Sequence, residues 1–174
     1  YFEGDIDYLY SKILGLPVSC VRTEVDIKLK FGADGEIWAN NKHLITEYLN
    51  SRFNLSIERR VEKIQVQELK LVNPSLLWDT GQIDWGENQG NNYIIGDQRI
   101  EADNLSISEI SVLLSELKNE TFIYSGGDSK KYDWSFHYNF ENLMKEELLY
   151  QFGIEIIPGV LADIEIVEIK NSNS

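Results

Sequence analysis

Residues 44–70 read LITEYLNSRFNLSIERRVEKIQVQELK, and residues 143–170 read LMKEELLYQFGIEIIPGVLADIEIVEIK. The two stretches align at a constant offset of 99 up to Val61, and one inserted residue brings the remaining positions into register. Identical pairs include Leu44 and Leu143, Glu47 and Glu146, Phe53 and Phe152, and Lys70 and Lys170. Apolar positions align in any two helix–strand units, but shared Glu and Lys residues favour an internal duplication.

The first copy is predicted to contain five elements with clear periodicity or turn residues. They are a helix at 5–14, a half-buried strand at 23–31, a return strand at 36–39 after a turn at 32–35, a helix at 41–53 and a strand at 63–72. The second helix is expected to bury a stripe formed by Leu44, Tyr48, Leu49 and Phe53. A slip in the apolar phase of the last strand predicts a bulge near Glu68.

The second copy is predicted to repeat this order after residue 103. Ser106 followed by Glu109 is typical of a capping box, and it predicts a helix that buries Ile107, Ile110, Leu113, Leu114 and Leu117. Strands at 121–125 and 131–139, a helix at 140–152 that ends at Gly153, and a strand at 162–170 are expected to follow.

These elements predict an α+β fold in which helices pack on mainly antiparallel sheet. The fold is expected to consist of two similar helix–hairpin–helix–strand units. The predicted division is a near-neutral first unit at 1–72, an acidic aromatic hairpin or loop at 73–92, an acidic second unit at 93–170 and a tail at 171–174.

The first residues, YFEGD, also have a counterpart in YIIGD at 93–97, which precedes a predicted helix at an offset of 92. This match favours a native repeat start at Tyr1. A protease-tag remnant at 1–4 stays an alternative, as does a start partway through a longer protein, because the chain does not begin with Met.

The net charge of −13 is concentrated in the second part of the chain. Residues 1–70 carry −1 and residues 71–174 carry −12. This charge disfavours nucleic acid and anionic membranes as partners and favours a basic protein, although a negative surface that only confers solubility is an alternative. No stretch of 18 apolar residues exists, so no membrane-spanning helix is predicted.

Motifs for catalysis, metal binding or cofactor binding are absent from the sequence. Asp133, Ser135 and His137 alternate along a predicted strand, where neighbours lie too far apart for a catalytic triad. The interpretation is a polar solvent face behind an aromatic core face. The segment 125–131 lacks the spacing of a phosphate-binding loop. The single cysteine, Cys20, makes an internal disulfide impossible and favours the cytoplasm, with a removed signal peptide as an alternative.

The stretch 76–92 combines aromatic and acidic residues without Lys or Arg. Such residues are typical of a binding surface for a basic partner. The predicted partner-binding residues are Trp78, Asp79, Asp84, Trp85, Glu87 and Asp97. The structural alternative is that both tryptophans pin the segment to the core.

The sequence therefore favours a non-catalytic acidic interaction protein, with an immunity- or antitoxin-type inhibitor of a basic nuclease toxin as the concrete version. A small-ligand or carbohydrate-binding module that uses Trp78 and Trp85 is one alternative. A carboxylate-based enzyme of unrecognised type is another. No cofactor is expected, and the sequence does not predict an oligomeric state.

Overall fold

The computed structural model describes residues 2–32, 41–85 and 93–172. Its elements in chain order are β1 (Phe2–Asp5), α1 (Ile6–Leu14), β2 (Val21–Thr23), β3 (Lys28–Phe31), α2 (Lys42–Phe53), β4 (Leu55–Leu71), β5 (Tyr93–Ile95), β6 (Arg99–Ser106), α3 (Ile107–Lys118), β7 (Phe122–Ile123), β8 (Lys131–His137), α4 (Glu141–Phe152) and β9 (Ile154–Asn171). The fold is α+β, as predicted. None of the helices in the described ranges is long and apolar enough to cross a membrane.

The chain divides into two compact units. Unit 1 comprises Tyr1–Ile64 and Ala162–Ser174, and unit 2 comprises Gln65–Leu161. The long strands β4 and β9 contribute residues to both units, because each begins in one unit and ends in the other. The predicted division at residues 72 and 93 is a division of the sequence into repeats, and it stays a prediction.

Unit 1 packs α1 and α2 around one apolar core. The buried side chains of this core are Ile6, Leu9, Tyr10, Ile13, Val21, Ile45, Leu49, Leu55 and Ile169. Strand β1 pairs antiparallel with β3, and β2 pairs in parallel with β9 through Val21↔Val167. The Tyr10 hydroxyl donates to Asn50 and so links α1 to α2 inside this unit. Burial raises the pKa of Tyr10 to about 12.

Unit 2 contains a larger core between α3, α4 and an antiparallel sheet of order β5-β6-β8. Trp134, Phe136 and Phe152 form its aromatic centre, with ring centroids 5.0–6.5 Å apart. Edge-on and tilted contacts of this kind add to the free energy that burial of the rings contributes. Strand β7 pairs in parallel with β4 through Gln67↔Phe122.

The predicted signals are present at the start of α3 and at the end of α4. The Ser106 hydroxyl accepts from the Glu109 amide while the Glu109 carboxylate accepts from the Ser106 amide, which is the predicted capping box. In the described ranges, the first residue after each helix is left-handed, as is common at helix C-termini; these residues are Gly15, Asn54, Asn119 and Gly153.

The prediction of one strand over residues 23–31 is wrong. Strand β2 ends at Thr23 and β3 begins at Lys28. The Thr23 hydroxyl accepts a hydrogen bond from the Val25 amide at 2.9 Å, and this local turn takes the place of strand pairing after Thr23. The apolar side chains between the strands keep the predicted alternation, since Val25 and Ile27 are half-buried between exposed neighbours.

The predicted stripe of α2 is correct for Leu49, which is buried, and for Phe53, which packs against the core of unit 1, and it is wrong for its other two residues. Leu44 and Tyr48 are exposed, and the buried pair is Ile45 and Leu49. Both pairs have helical spacing and both are largely apolar, so the sequence pattern alone does not choose between the two faces. The predicted return strand at 36–39 lies outside the described residues.

The strand content was underestimated in two places. The segment from Tyr93 to Ser106, for which no strand was predicted, forms the antiparallel strands β5 and β6. The last strand of each copy begins directly after its helix, at Leu55 and Ile154, rather than at 63 and 162. Val66 and Leu69 are both buried three residues apart, which agrees with the predicted phase slip of β4.

The two units have corresponding internal structures. The helices α2 and α4 each have 12 residues and begin 99 positions apart. In unit 1 the Ser172 amide donates to the Asn54 carbonyl at 2.8 Å, and in unit 2 the Val72 amide donates to the Gly153 carbonyl at 2.8 Å. In each unit a short strand pairs in parallel with a long one. A duplication predicts these correspondences, but the duplication itself stays a prediction.

A chain of ion pairs crosses β2, β4 and β9 in unit 1. Arg22 forms two parallel hydrogen bonds of 2.9 Å with Glu62, and Arg60 contacts both Glu62 and Glu168 at 2.6 Å. Lys170 extends the chain from Glu168 to Glu58. The hydrogen bond from Arg22 lowers the pKa of Glu62, and the hydrogen bond from Lys170 lowers the pKa of Glu58.

We expect this network to make stability fall in acid. A carboxyl group with a lowered folded-state pKa contributes stability that is present above its ordinary value near 4.5 and is lost as the pH falls through the folded-state pKa. In urea titrations between pH 6 and 3, Glu62→Gln should show a shallower fall of unfolding free energy than the parent. The control Glu146→Gln, exposed in unit 2, should keep the parent slope. Equal slopes for Glu62→Gln and the parent would contradict the prediction.

Candidate functional site

The predicted binding stretch follows β4 in the chain and then contacts strand β8 of unit 2. Strand β4 ends at Leu71, and a turn of 3-10 helix follows at Pro74–Leu76. The Trp78 carbonyl then accepts from the Asp133 amide at 3.3 Å, which forms an isolated antiparallel bridge with strand β8. We call residues 78–85 the acidic loop.

The buried carboxylate of Asp133 holds the acidic loop in place. Its Oδ2 atom accepts from the amides of Gly81, Gln82 and Ile83 at 2.7–2.8 Å, and its Oδ1 atom accepts from the Asn104 amide at 3.0 Å. Asp133 is fully buried, so these donors replace the water that an ionised carboxylate needs. Successive backbone N–H groups directed at one oxygen form the kind of concavity that binds anions.

Trp78 packs against the core of unit 2. Its ring lies 5.2 Å from the Phe152 ring, centroid to centroid, and it is partly buried. This is the arrangement expected from the structural alternative, in which the tryptophan pins the loop. The Trp85 amide donates to the Asp103 carboxylate at 3.3 Å, which fixes the other end of the loop.

The acidic side chains of the loop point to solvent. Asp79 and Asp84 are exposed, and Trp85 is half-buried. Glu87 lies outside the described residues. The structure therefore brings Trp78, Asp79, Asp84 and Trp85 together in a single fixed loop.

Asp97 lies elsewhere in unit 2. It is exposed in the turn between β5 and β6, where its carbonyl accepts from the Tyr138 hydroxyl. Asp103, which fixes the acidic loop, lies four positions along β6 from Arg99, where the strand begins after the turn, and this spacing corresponds to roughly 13 Å at about 3.3 Å per residue. The predicted surface thus falls into two places, the acidic loop and the β5–β6 turn.

The charge of unit 2 is strongly negative. Its sequence carries 16 Asp and Glu against six Lys and Arg, whereas unit 1 carries 13 against ten. Several of the few cations of unit 2 are engaged within the unit: Lys131 with Glu109, Lys145 with Glu141, Arg99 with Ser135 and Lys130 over the Tyr132 ring. Most of the acidic charge of unit 2 is therefore not neutralised by cations of its own.

The hydroxyl of Tyr132 reports the same negative environment. Burial is the main cause that raises its pKa, to about 12, and the hydrogen bond that it donates to Asp128 at 2.9 Å adds to the rise. The charges of Asp128 and Asp79 act in the same direction. Asp79 is the smallest of these causes, so burial and Asp128 account for most of the rise in the pKa of Tyr132.

The residues Asp133, Ser135 and His137 do not form a catalytic triad. Asp133 is bound to backbone amides, the Ser135 hydroxyl accepts from Arg99, and His137 Nδ1 lies 2.9 Å from Glu147 Oε1. The expectation that they form a solvent face is wrong, because Asp133 and Ser135 are buried. On this side of β8 the acidic loop binds Asp133 and the Arg99 side chain binds Ser135, and the alternating sequence of β8 does not show that both faces are buried.

Sequence reasoning missed Asp133 and Asp103, which hold the acidic loop from the second half of the chain. A signal for Asp133 was present, since an acidic residue between Tyr132 and Trp134 interrupts a strongly aromatic strand. Its partners were not visible, because the donors are backbone amides some 50 residues away.

The described residues hold no group of three or more His, Cys, Asp or Glu side chains placed to bind a metal ion. Shallow cavities of about 280 and 230 Å³ are found, one in each unit. The first is lined by residues 5–7 and 23–27, and the second includes Gln67, Glu120 and Thr121. The lining of the first cavity includes the carboxylates of Asp5, Asp7, Glu24 and Asp26.

Comparison of the chain with protein-family models, with curated proteins and with solved structures finds no match.

Proposed function

We propose that the protein is a non-catalytic interaction protein that binds a basic protein through the acidic loop of unit 2. The observation that carries this proposal is that the Asp133 carboxylate accepts hydrogen bonds from three successive backbone amides of the loop. A loop that is already ordered loses less conformational entropy when it binds a partner. Its exposed carboxylates, those of Asp79 and Asp84, are thereby offered to solvent in a fixed arrangement.

The charge of unit 2 supports a basic partner. A surface with many uncompensated carboxylates attracts cationic proteins over a distance near the Debye length, about 8–10 Å at ordinary salt. Such attraction raises the association rate and selects against acidic partners and nucleic acid. The concrete form of the proposal is an immunity- or antitoxin-type inhibitor of a cationic nuclease. A cytoplasmic location belongs to the proposal and rests on the single cysteine, which is buried.

Charge reversal in the acidic loop is expected to weaken binding of the basic partner. We expect Asp79→Lys combined with Asp84→Lys to weaken binding about tenfold or more at low salt and to flatten its salt dependence. The measurement is calorimetric titration and nuclease inhibition with the product of the neighbouring gene and with a panel of cationic nucleases.

The matched control is Glu146→Lys combined with Glu155→Lys, which adds the same charge at exposed positions of unit 2 outside the loop. This control should retain most of the affinity. Equal loss in the two double variants would show that only the total charge matters, and unchanged binding in the loop variant would refute the role of the loop.

A further inference from the structure

The sheet of unit 2 has two edges that differ in how they are covered. Its order is β5-β6-β8, so β5 and β8 are the edge strands. At the β8 edge, the Asp133 amide donates to the Trp78 carbonyl and the His137 amide donates to the Glu147 carboxylate at 2.6 Å. The acidic loop and α4 thus occupy the outward amides at both ends of β8.

The β5 edge has outward-pointing backbone groups. In an antiparallel ladder, hydrogen-bonded and non-hydrogen-bonded pairs alternate. The Gly96 amide donates to the Arg99 carbonyl at 2.9 Å, so Ile94↔Glu101 is the next hydrogen-bonded pair. The N–H and C=O groups of Tyr93 and Ile95 therefore point away from β6, and no described residue is paired with them along this edge.

The side chains along this edge are apolar and acidic. Ile94 is 56% exposed and Ile95 is 40% exposed, and they lie on opposite faces of the strand. Exposed carboxylates flank them at Asp97 in the turn and at Glu101, directly opposite Ile94. Arg99 is the single cation between residues 93 and 106, and its guanidinium is bound to the Ser135 side chain and carbonyl.

We infer that the outer edge of β5 is the docking site for an extended segment of the basic partner, which adds to the sheet as a fourth strand. Backbone pairing with Tyr93 and Ile95 supplies the hydrogen bonds, and an apolar side chain of the partner packs against Ile94. The negative charges of Asp97 and Glu101 beside this edge favour Lys or Arg residues in the docking segment. The inference rests on the proposed function, since it states which part of the basic partner binds, namely an extended segment.

The probe for this edge is a short synthetic peptide of alternating Lys and Val, added to the whole protein. A peptide of alternating Lys and Pro matches its charge but has too few N–H groups to pair as a strand. A peptide of alternating Glu and Val matches its strand propensity but has the opposite charge. We expect the Lys–Val peptide alone to bind and to slow hydrogen exchange at the Tyr93 and Ile95 amides. Equal binding of the Lys–Pro peptide, or binding without protection of these two amides, would overturn the inference, as would no binding of the Lys–Val peptide.

The variant Ile95→Pro tests the same edge from the protein side. Proline removes the outward N–H of residue 95 and no hydrogen bond to β6, so the hairpin should keep its fold. The control Ile95→Ala removes the same side chain and keeps the N–H. We expect Ile95→Pro to weaken Lys–Val peptide binding about tenfold relative to Ile95→Ala, with both variants folded by circular dichroism. If the proline variant is unfolded, the comparison of Ile94→Asp with Glu101→Gln and Asp97→Asn replaces it, and unchanged binding in all three would overturn the inference.

The outcome is separable from that of the proposed function. Loss of nuclease binding in the Asp79/Asp84 variant with no effect of Ile95→Pro would support the function and refute the strand docking. Protection of the Tyr93 and Ile95 amides by the Lys–Val peptide, without capture of any cationic nuclease, would support the docking edge and refute the proposed partner.

Discussion

Replacing Asp133 with Ala is expected to lower the free energy of unfolding by about 3 kcal/mol or more. Hydrogen bonds to a charged group contribute about 1.5–3 kcal/mol each, and the carboxylate accepts four. Water that enters the site will form hydrogen bonds with some of the freed amides of Gly81, Gln82 and Ile83. The decrease in the free energy of unfolding therefore stays well below the sum of the four bonds. The Asn104 amide, on the far side of the carboxylate, loses its partner as well.

The effect should be concentrated in the acidic loop. Hydrogen exchange at Gly81, Gln82 and Ile83 is expected to accelerate far more in Asp133→Ala than exchange in α3, because the carboxylate binds the loop directly. Asp133→Asn keeps the size of the side chain but turns one acceptor into an NH₂ group that faces amide donors. When the NH₂ group takes the place of Oδ2, Asp133→Asn should therefore lower the free energy of unfolding nearly as much as Asp133→Ala does.

Urea unfolding followed by tryptophan fluorescence measures the stability, and amide exchange measures the loop. Asp79→Ala is the matched control, since it removes an exposed carboxylate from the same loop and should change stability by no more than about 0.5 kcal/mol. Normal exchange at residues 81–83 in Asp133→Ala would show that the loop is ordered by other contacts. Because the proposed function depends on a pre-ordered loop, Asp133→Ala should also weaken partner binding while the net charge becomes less negative by only one unit.

Local sequence signals predicted the helices of this fold well. The capping box at Ser106 and the apolar spacing after it determine α3 almost completely, and Gly153 marks the end of α4. Signals of this kind act within a few residues, where the geometry of the chain itself decides the outcome. The same reasoning failed for the first residues of the α2 stripe, because Leu44 and Ile45 are both apolar and only the packing against α1 selects the buried one.

Strand pairing was less predictable, since it depends on residues that are distant in the chain. The alternation at 23–31 was correct for burial, but the turn at Thr23 divides the stretch into two strands with different partners. The candidate site shows the same limit. The sequence located the exposed acids of the loop and marked Asp133 as unusual within an aromatic strand. The backbone amides that Asp133 and Asp103 bind from β8 and β6 were not visible, because they lie far away in the chain.

Replacing Gly153 with Ala is expected to destabilise the protein by about 3–5 kcal/mol, while Gly15→Ala should cost only about 1 kcal/mol. Both glycines end a helix in the left-handed conformation, with φ of 67° and 68°, so both substitutions carry the cost of placing a Cβ there. At Gly15 an added Cβ meets nothing within 4 Å. At Gly153 it would lie 2.0 Å from the Asn73 carbonyl oxygen.

The clash at Gly153 cannot be relieved by a side-chain rotation, because the opposing atoms belong to the backbone. Residues 72 and 73 both donate their amides to the Gly153 carbonyl, at 2.8 and 3.1 Å, and moving them away breaks both bonds. The movement also displaces the start of the segment that carries Trp78, whose ring rests on Phe152 next to the glycine. Gly153→Ala should therefore loosen the acidic loop as well as lower the urea midpoint. If Gly153→Ala and Gly15→Ala lower the free energy of unfolding equally, the backbone at Asn73 moves away from residue 153 without an energetic cost. The contact between the end of β4 and the end of α4 would then contribute little to the stability of the fold.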